Sequence, residues 1–159
     1  FGHGTMKKEL IDRLSKEAKF LAVNTQTNST NYGFNLITKY PRADYVVLDE
    51  LEARLAVHDR HSKLEEVISK LAFNKIVVTQ GYLGAIGFNG TFTNQAARAD
   101  KVVDTMGAGD AFISVSAPFA CIGLPIEELV RIGNAAAAVK VSTVGHRASV
   151  TPDSLKAYL

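Results

Sequence analysis

Residues 102–112 read Val102-Val103-Asp104-Thr105-Met106-Gly107-Ala108-Gly109-Asp110-Ala111-Phe112, and the organisation of the whole chain turns on this stretch. Two valines lead into a polar turn, two glycines stand one residue apart, and an apolar run continues towards Gly123. The pattern predicts a buried strand at Val102-Val103, a glycine-rich turn, and a helix opening at about Asp110. Gly107 and Gly109 let successive backbone amides face one concavity at the positive end of a helix dipole, which suits a phosphoryl group. A carboxylate in such a hole, Asp110, is electrostatically unfavourable unless it takes a proton from an attacking hydroxyl. A bare Gly-x-Gly has a plainer reading, a tight turn with Asp110 capping the helix.

Outward from this turn, short apolar runs alternate with helical periodicity. Phe20-Leu21-Ala22-Val23, Tyr45-Val46-Val47-Leu48 and Lys75-Ile76-Val77-Val78-Thr79 read as buried parallel strands. Residues 6–19 carry Leu10, Ile11, Leu14 and Ala18 at helical spacing. Ser62-Lys63-Leu64-Glu65 reads as a capping box opening a helix with Leu64, Val67, Ile68 and Leu71 on its apolar face. Asn89-Gly90, between residues 84–88 and 91–93, predicts a type I′ hairpin. Downstream, Pro125 suits the first turn of a helix ending near Gly145, and Thr151-Pro152 opens a short last one. Strands alternating with helices predict an α/β fold, a mostly parallel sheet covered on both faces with a hairpin at one edge. Ligands of such sheets sit beyond the carboxyl ends of the strands, where Asn24, Asp49, Thr79 and Asp104 all fall.

Composition narrows the function classes. The chain has 159 residues, 47% of them hydrophobic and 21% charged, with a formal net charge of +2, which fits one ordinary folded domain. Its charges are scattered, so no basic patch asks for nucleic acid. No apolar run approaches the roughly 20 residues that span a bilayer. Cys121 is the only cysteine, so no intrachain disulfide is possible. In the run Ala120-Cys121-Ile122 it reads as a buried thiol, compatible with a reducing cytoplasm. The opening Phe1-Gly2-His3-Gly4 carries no initiator methionine or signal character and predicts a piece of a longer protein.

The string from Asp104 to Phe112 resembles the signature Asp-Thr-x-Gly-Ala-Gly-Asp-x-Phe of the PfkB/ribokinase carbohydrate kinases. The resemblance implies a ribokinase-like three-layer sandwich of which residues 1–159 are the C-terminal, nucleotide-binding half. It implies Asp110 as the base that deprotonates the sugar hydroxyl, and the amides of Gly107, Ala108 and Gly109 as the anion hole. Asp104 matches a residue that in several members helps bind a monovalent cation, and Thr105 follows it on the nucleotide side. Val77-Val78-Thr79-Gln80-Gly81 is similar to a family strand ending beside the nucleotide phosphates, at Thr79 and Gly81. Gly133-Asn134-Ala135-Ala136-Ala137-Ala138 resembles the helix that walls the adenine pocket, placing Asn134 and Ala137 there. Within the family the likeness is to heptose-phosphate kinases, often fused to a nucleotidyltransferase. The expected cofactors are ATP and magnesium.

Two stretches depart from the family pattern. Where Asn-x-x-Glu works with magnesium, this chain has Asp49-Glu50-Leu51-Glu52. One alignment uses Glu52 with Asp49 in the asparagine place; the other uses Glu50, with Val47 there. Carboxylates at a helix start also have a plain electrostatic reading. In Asn24-Thr25-Gln26-Thr27-Asn28, neutral Gln26 stands where heptose-kinase relatives carry the lysine of Asp-Pro-Lys. His58 and His61 read as solvated, while His3 and His146 lie beside glycines. The enzyme reading is phosphoryl transfer from MgATP to a sugar or sugar phosphate, with the missing half or a second copy covering the open sheet edge. Its rival is an eroded, kinase-like module for nucleotide sensing or dimerisation.

Overall fold

The computed structural model describes residues 6–144 and 149–159; the expectations for Phe1-Gly2-His3-Gly4, Gly145 and His146 lie outside them. Elements run in the order α1 (Lys8–Glu17), β1 (Ala22–Val23), β2 (Tyr45–Asp49), α2 (Glu50–Ala56), α3 (Leu64–Lys70), β3 (Ile76–Thr79), β4 (Ala85–Phe88), β5 (Phe92–Gln95), α4 (Ala108–Cys121), α5 (Ile126–Val141) and α6 (Pro152–Lys156). Among the described residues, five strands form one sheet in sequence order. β1, β2 and β3 pair in parallel, and β4 is antiparallel to β3 and to β5. Four strands therefore point one way, and the hairpin closes one edge as expected.

Alternation along the strands divides the core. Val46, Leu48, Ile76 and Val78 face Ile11, Ala53, Val67 and Ile68 from the first three helices. Tyr45, Val47, Val77 and Ala85 face the other way, onto Phe112, Ile126, Leu129 and Val130 of α4 and α5. Helices thus pack on both faces of the sheet, the arrangement that a mostly parallel sheet requires. Gly133 is where α4 and α5 approach, since a Cβ there would stand 2.3 Å from the Phe112 ring.

Several local expectations are corrected. Val102 and Val103 form no strand and are 58% and 42% exposed; the Val103 and Asp104 amides instead donate to the Val141 carbonyl at the end of α5. Ser62 forms no capping box, because α3 starts one residue later, with Lys63 at its N-cap and no side-chain cap bond. The Asn89-Gly90 turn is not type I′: Phe88 pairs with Phe92 across a three-residue connection, and Gly90 but not Asn89 is left-handed. Cys121 is exposed at the last residue of α4, while its neighbour Ala120 turns inward. Leu10 is likewise exposed although Ile11 is buried. Among the described residues no helix is long and apolar enough to cross a membrane.

Candidate functional site

Pairing register places Asp49, Thr79, Ala85 and Gln95 in one row across the sheet. Three of these close a strand that points the same way, so the row marks the sheet's carboxyl end, with β4 starting from it. Asn24 follows β1 at this end and donates from Nδ2 to the Val47 carbonyl at 2.9 Å. Thr79 Oγ1 donates to the Leu48 carbonyl at 3.4 Å. Beyond Thr79, Gly81 takes φ +58 and opens a 3-10 turn, residues Gly81–Leu83.

The glycine-rich turn leads into α4, which starts at Ala108 rather than at about Asp110. Gly107 is the N-cap of α4 with φ +76, a left-handed conformation that side chains resist. Asp104 Oδ1 accepts the Met106 amide at 2.9 Å; the Ala108 amide, expected in the anion hole, instead donates to the Thr105 carbonyl at 3.3 Å and is already engaged. The first α-helical bond runs from Ala111 to Gly107. The amides of Gly107, Gly109 and Asp110 are left without an internal acceptor among the described residues, as helix starts require. Nothing stands within 4 Å of where a Gly109 Cβ would lie, and the Asp110 carboxylate is exposed beside it. Asp110 shares a cavity of about 490 Å³ with Asn24, Gln26, Asn35 and Tyr40, floored by apolar residues such as Leu14 and Val23.

The acidic segment after β2 caps a helix. Asp49 Oδ1 accepts the Glu52 amide at 2.7 Å and Glu52 Oε2 accepts the Asp49 amide at 2.9 Å, a reciprocal capping box. The other Glu52 oxygen accepts the Thr27 amide at 2.8 Å, so this side chain, 6% exposed, ties the β1 loop to α2. Burial, together with the charges of Asp49 and Asp110, pushes the Glu52 carboxyl up to about 7. Glu50 instead pairs with Arg54 and accepts from Gln80 Nε2 at 3.0 Å, bonds that hold its carboxyl below the usual range. Of the two alignments, the one through Glu52 brings a carboxylate within electrostatic reach of Asp110. Among the described residues no group of three or more ligating side chains is gathered to hold a metal.

Asn134 is buried in α5, and its Nδ2 donates to the carbonyls of Gln95 and Ala96, each at 3.2 Å. Its amide therefore ties α5 to the end of β5, and Ala137 is half-buried against the core one turn on. His58 and His61 are exposed, as expected. Sequence reasoning missed Asn35 and Lys39. Asn35, 3% exposed, donates to the Gln26 carbonyl at 2.8 Å and accepts from the Lys39 ammonium. Both lie in an aperiodic stretch that carried no signal.

Known proteins resemble this chain at every level. It is 32% identical over 124 residues to 2-dehydro-3-deoxygalactonokinase of Haloferax volcanii, matching 76% of this chain and 39% of that protein. It is 28% identical over 165 residues to the bifunctional protein HldE of Campylobacter jejuni, matching 99% of this chain and 35% of that protein. Among solved structures, Escherichia coli phosphofructokinase-2 in complex with potassium superposes with a TM-score of 0.80 at 18% identity, over 96% of this chain and 52% of that one. Arabidopsis thaliana ribokinase complexed with ribose and ATP gives 0.71 at 22% identity, over 87% and 46%. The chain thus spans about two fifths or less of these curated relatives and about half of the solved chains. A family model for the pfkB carbohydrate kinases runs from residue 7 to residue 153, taking in every strand and all of α1 to α5, and on that match the chain belongs to the pfkB carbohydrate kinase family.

Proposed function

We propose that this chain forms the nucleotide-binding and catalytic half of an ATP-dependent kinase acting on a sugar or sugar phosphate, with a heptose-phosphate-like acceptor favoured. The reading is carried by the place of Asp110 at the start of α4, beside the Gly107 and Gly109 amides, which find no internal acceptor among the described residues, and on the wall of a cavity that Asn24 also lines. Asp110 accepts the proton of the attacking hydroxyl, and those amides receive the transferring phosphoryl group. Thr79, Gly81, Asp104, Thr105, Asn134 and Ala137 lie on the nucleotide side, Asn134 by positioning β5 rather than by offering its amide. Asp104 is the place for a monovalent cation.

Asp49 and Glu52 fit a magnesium site of the kind in which the ion arrives mainly on phosphates and meets one or two carboxylates. When bound there, the ion would neutralise charge on the transferring group. The heptose-phosphate preference rests on the likeness to HldE. A nucleotide-sensing module is the second reading, favoured by the engagement of both Glu52 oxygens with backbone amides.

A thermal-shift titration with MgATP tests the proposal. At 100 times its dissociation constant a ligand stabilises the fold by about 2.7 kcal/mol. The shift is expected in the native chain and in Asp110→Asn, but not in Gly107→Val, whose branched side chain opposes the left-handed backbone. No shift in the native chain would defeat the nucleotide reading. In the full-length kinase, unimpaired phosphoryl transfer by Asp110→Asn would defeat the assignment of the base.

A further inference from the structure

The cavity that holds Asp110 is lined by amides, a phenol and apolar side chains, and none of its lining residues is a lysine or arginine. A site that handles phosphoryl oxygens needs compensating charge beyond two or three amides. Gln26 reaches the cavity but is neutral. The nearest cation by bonding is Lys39, the last residue of the 3-10 turn Ile37–Lys39. Its ammonium donates to Asn35 Oδ1 and lies 5.7 Å from the centre of the Tyr40 ring. Asn35 and Tyr40 both line the cavity, and Asn35 in turn donates to the Gln26 carbonyl. Lys39 has no carboxylate partner among the described residues, whereas Lys8, Lys70 and Lys156 each pair with an aspartate. Half-buried, it is desolvated enough that its ammonium sits below the ordinary lysine range. A lysine placed so gives up an exposed position without gaining an ion pair, which costs stability unless an anion arrives.

Building on the kinase reading, the geometry points to Lys39 as a phosphoryl-binding residue of this site, supplying from the 3-10 turn the positive charge that position 26 lacks. Its hydrogen bond to Asn35 parks the ammonium at the cavity wall, and rotation about the long side chain exchanges that bond for a phosphoryl oxygen. The oxygen belongs either to the terminal phosphate of the nucleotide or to a phosphate carried by the acceptor. Asn35, fixed by Gln26, keeps the resting position in register with the loop after β1.

Calorimetric titration of the chain with MgATP, MgADP and glucose 6-phosphate tests this, comparing the native protein with Lys39→Met, Lys39→Arg and the double variant Lys39→Met/Gln26→Lys. Loss of one charge-assisted contact weakens binding about tenfold. A loss in Lys39→Met for MgATP but not MgADP assigns the contact to the donor's terminal phosphate; a loss for glucose 6-phosphate assigns it to the acceptor. Lys39→Arg is expected to retain binding, and the double variant to recover most of it because the cation returns at position 26. Melting temperatures confirm that each variant is folded. If Lys39→Met binds every probe as the native chain does, the role of Lys39 is overturned while the kinase reading stands. If the native chain binds none of the probes, both fall.

Discussion

Replacing Gly133 with alanine puts the packing that supports the site under direct strain. The new Cβ would lie 2.3 Å from two carbons of the Phe112 ring and 2.6 Å from a third, where carbon atoms rest at about 3.5–4.0 Å. The ring would have to retreat by about 1 Å or more, yet Phe112 is only 1% exposed and packs among Val47, Val77 and Leu129. Overpacking of this kind costs about 3 kcal/mol at its upper end. The better helix propensity of alanine returns about 1 kcal/mol. The net loss of about 2 kcal/mol corresponds to a fall in melting temperature of about 4–8 °C for a chain of this size. Urea and thermal unfolding measure it directly. The double variant Phe112→Leu/Gly133→Ala should be more stable than the sum of the single changes predicts, with a coupling above about 1 kcal/mol. If Gly133→Ala raises the melting temperature, as at an unconstrained helical glycine, the packing argument is wrong.

Other outcomes follow from the acidic segment and the core. Glu52 has its folded-state value raised from 4.5 to about 7, so between those pH values the native chain keeps a proton that the unfolded chain releases. Stability should therefore fall as pH rises through that window, by up to about 3 kcal/mol; urea midpoints at pH 5 and pH 8 would show the fall, and Glu52→Gln should flatten it. Asp49→Ala removes the N-cap of α2 and should lower stability by about 1 kcal/mol, an effect that Asp49→Asn largely avoids. Tyr45→Phe deletes the buried 3.0 Å bond to Ser116 Oγ and should cost about 1 kcal/mol. Because Ser116 Oγ also donates to the Phe112 carbonyl at 2.7 Å, adding Ser116→Ala should cost less than it does in the native chain.

What the sequence made legible, and what it did not, separates along physical lines. The strands of β2 and β3 and the inward face of α3 were readable because burial imposes a period. The glycine turn was readable because it needs residues that few other structures require in that order. Val102-Val103 misled because two apolar residues before a turn look the same whether they pair in a strand or, as here, stay exposed while the Val103 and Asp104 amides donate to one carbonyl at the end of α5. Asp49 and Glu52 have the spacing of a capping box, a signal that was available, but a metal reading competed for the same carboxylates. Asn134 matched a family helix, and only the folded structure sets its amide against the end of β5. Asn35, which lines the cavity, and Lys39, which bonds to it, lie in an aperiodic stretch where neither period nor composition distinguishes such a pair from a solvated surface.

The two-residue strand β1 sets the terms on which anything else can join this sheet. Among the described residues its outer side is the open edge, while the hairpin ends the sheet on the other. A strand added along so short a ladder gains only a few backbone hydrogen bonds, each worth about 1 kcal/mol net. Backbone pairing there supplies orientation but little residence time. If the remainder of a kinase were supplied as a separate polypeptide, the lifetime of the reconstituted pair would be governed by side chains entering the neighbouring cavity, past Leu14, Val23 and Tyr40. Split-protein complementation should then be tuned through dissociation rate, by substitutions in that cavity, more readily than by lengthening the strand.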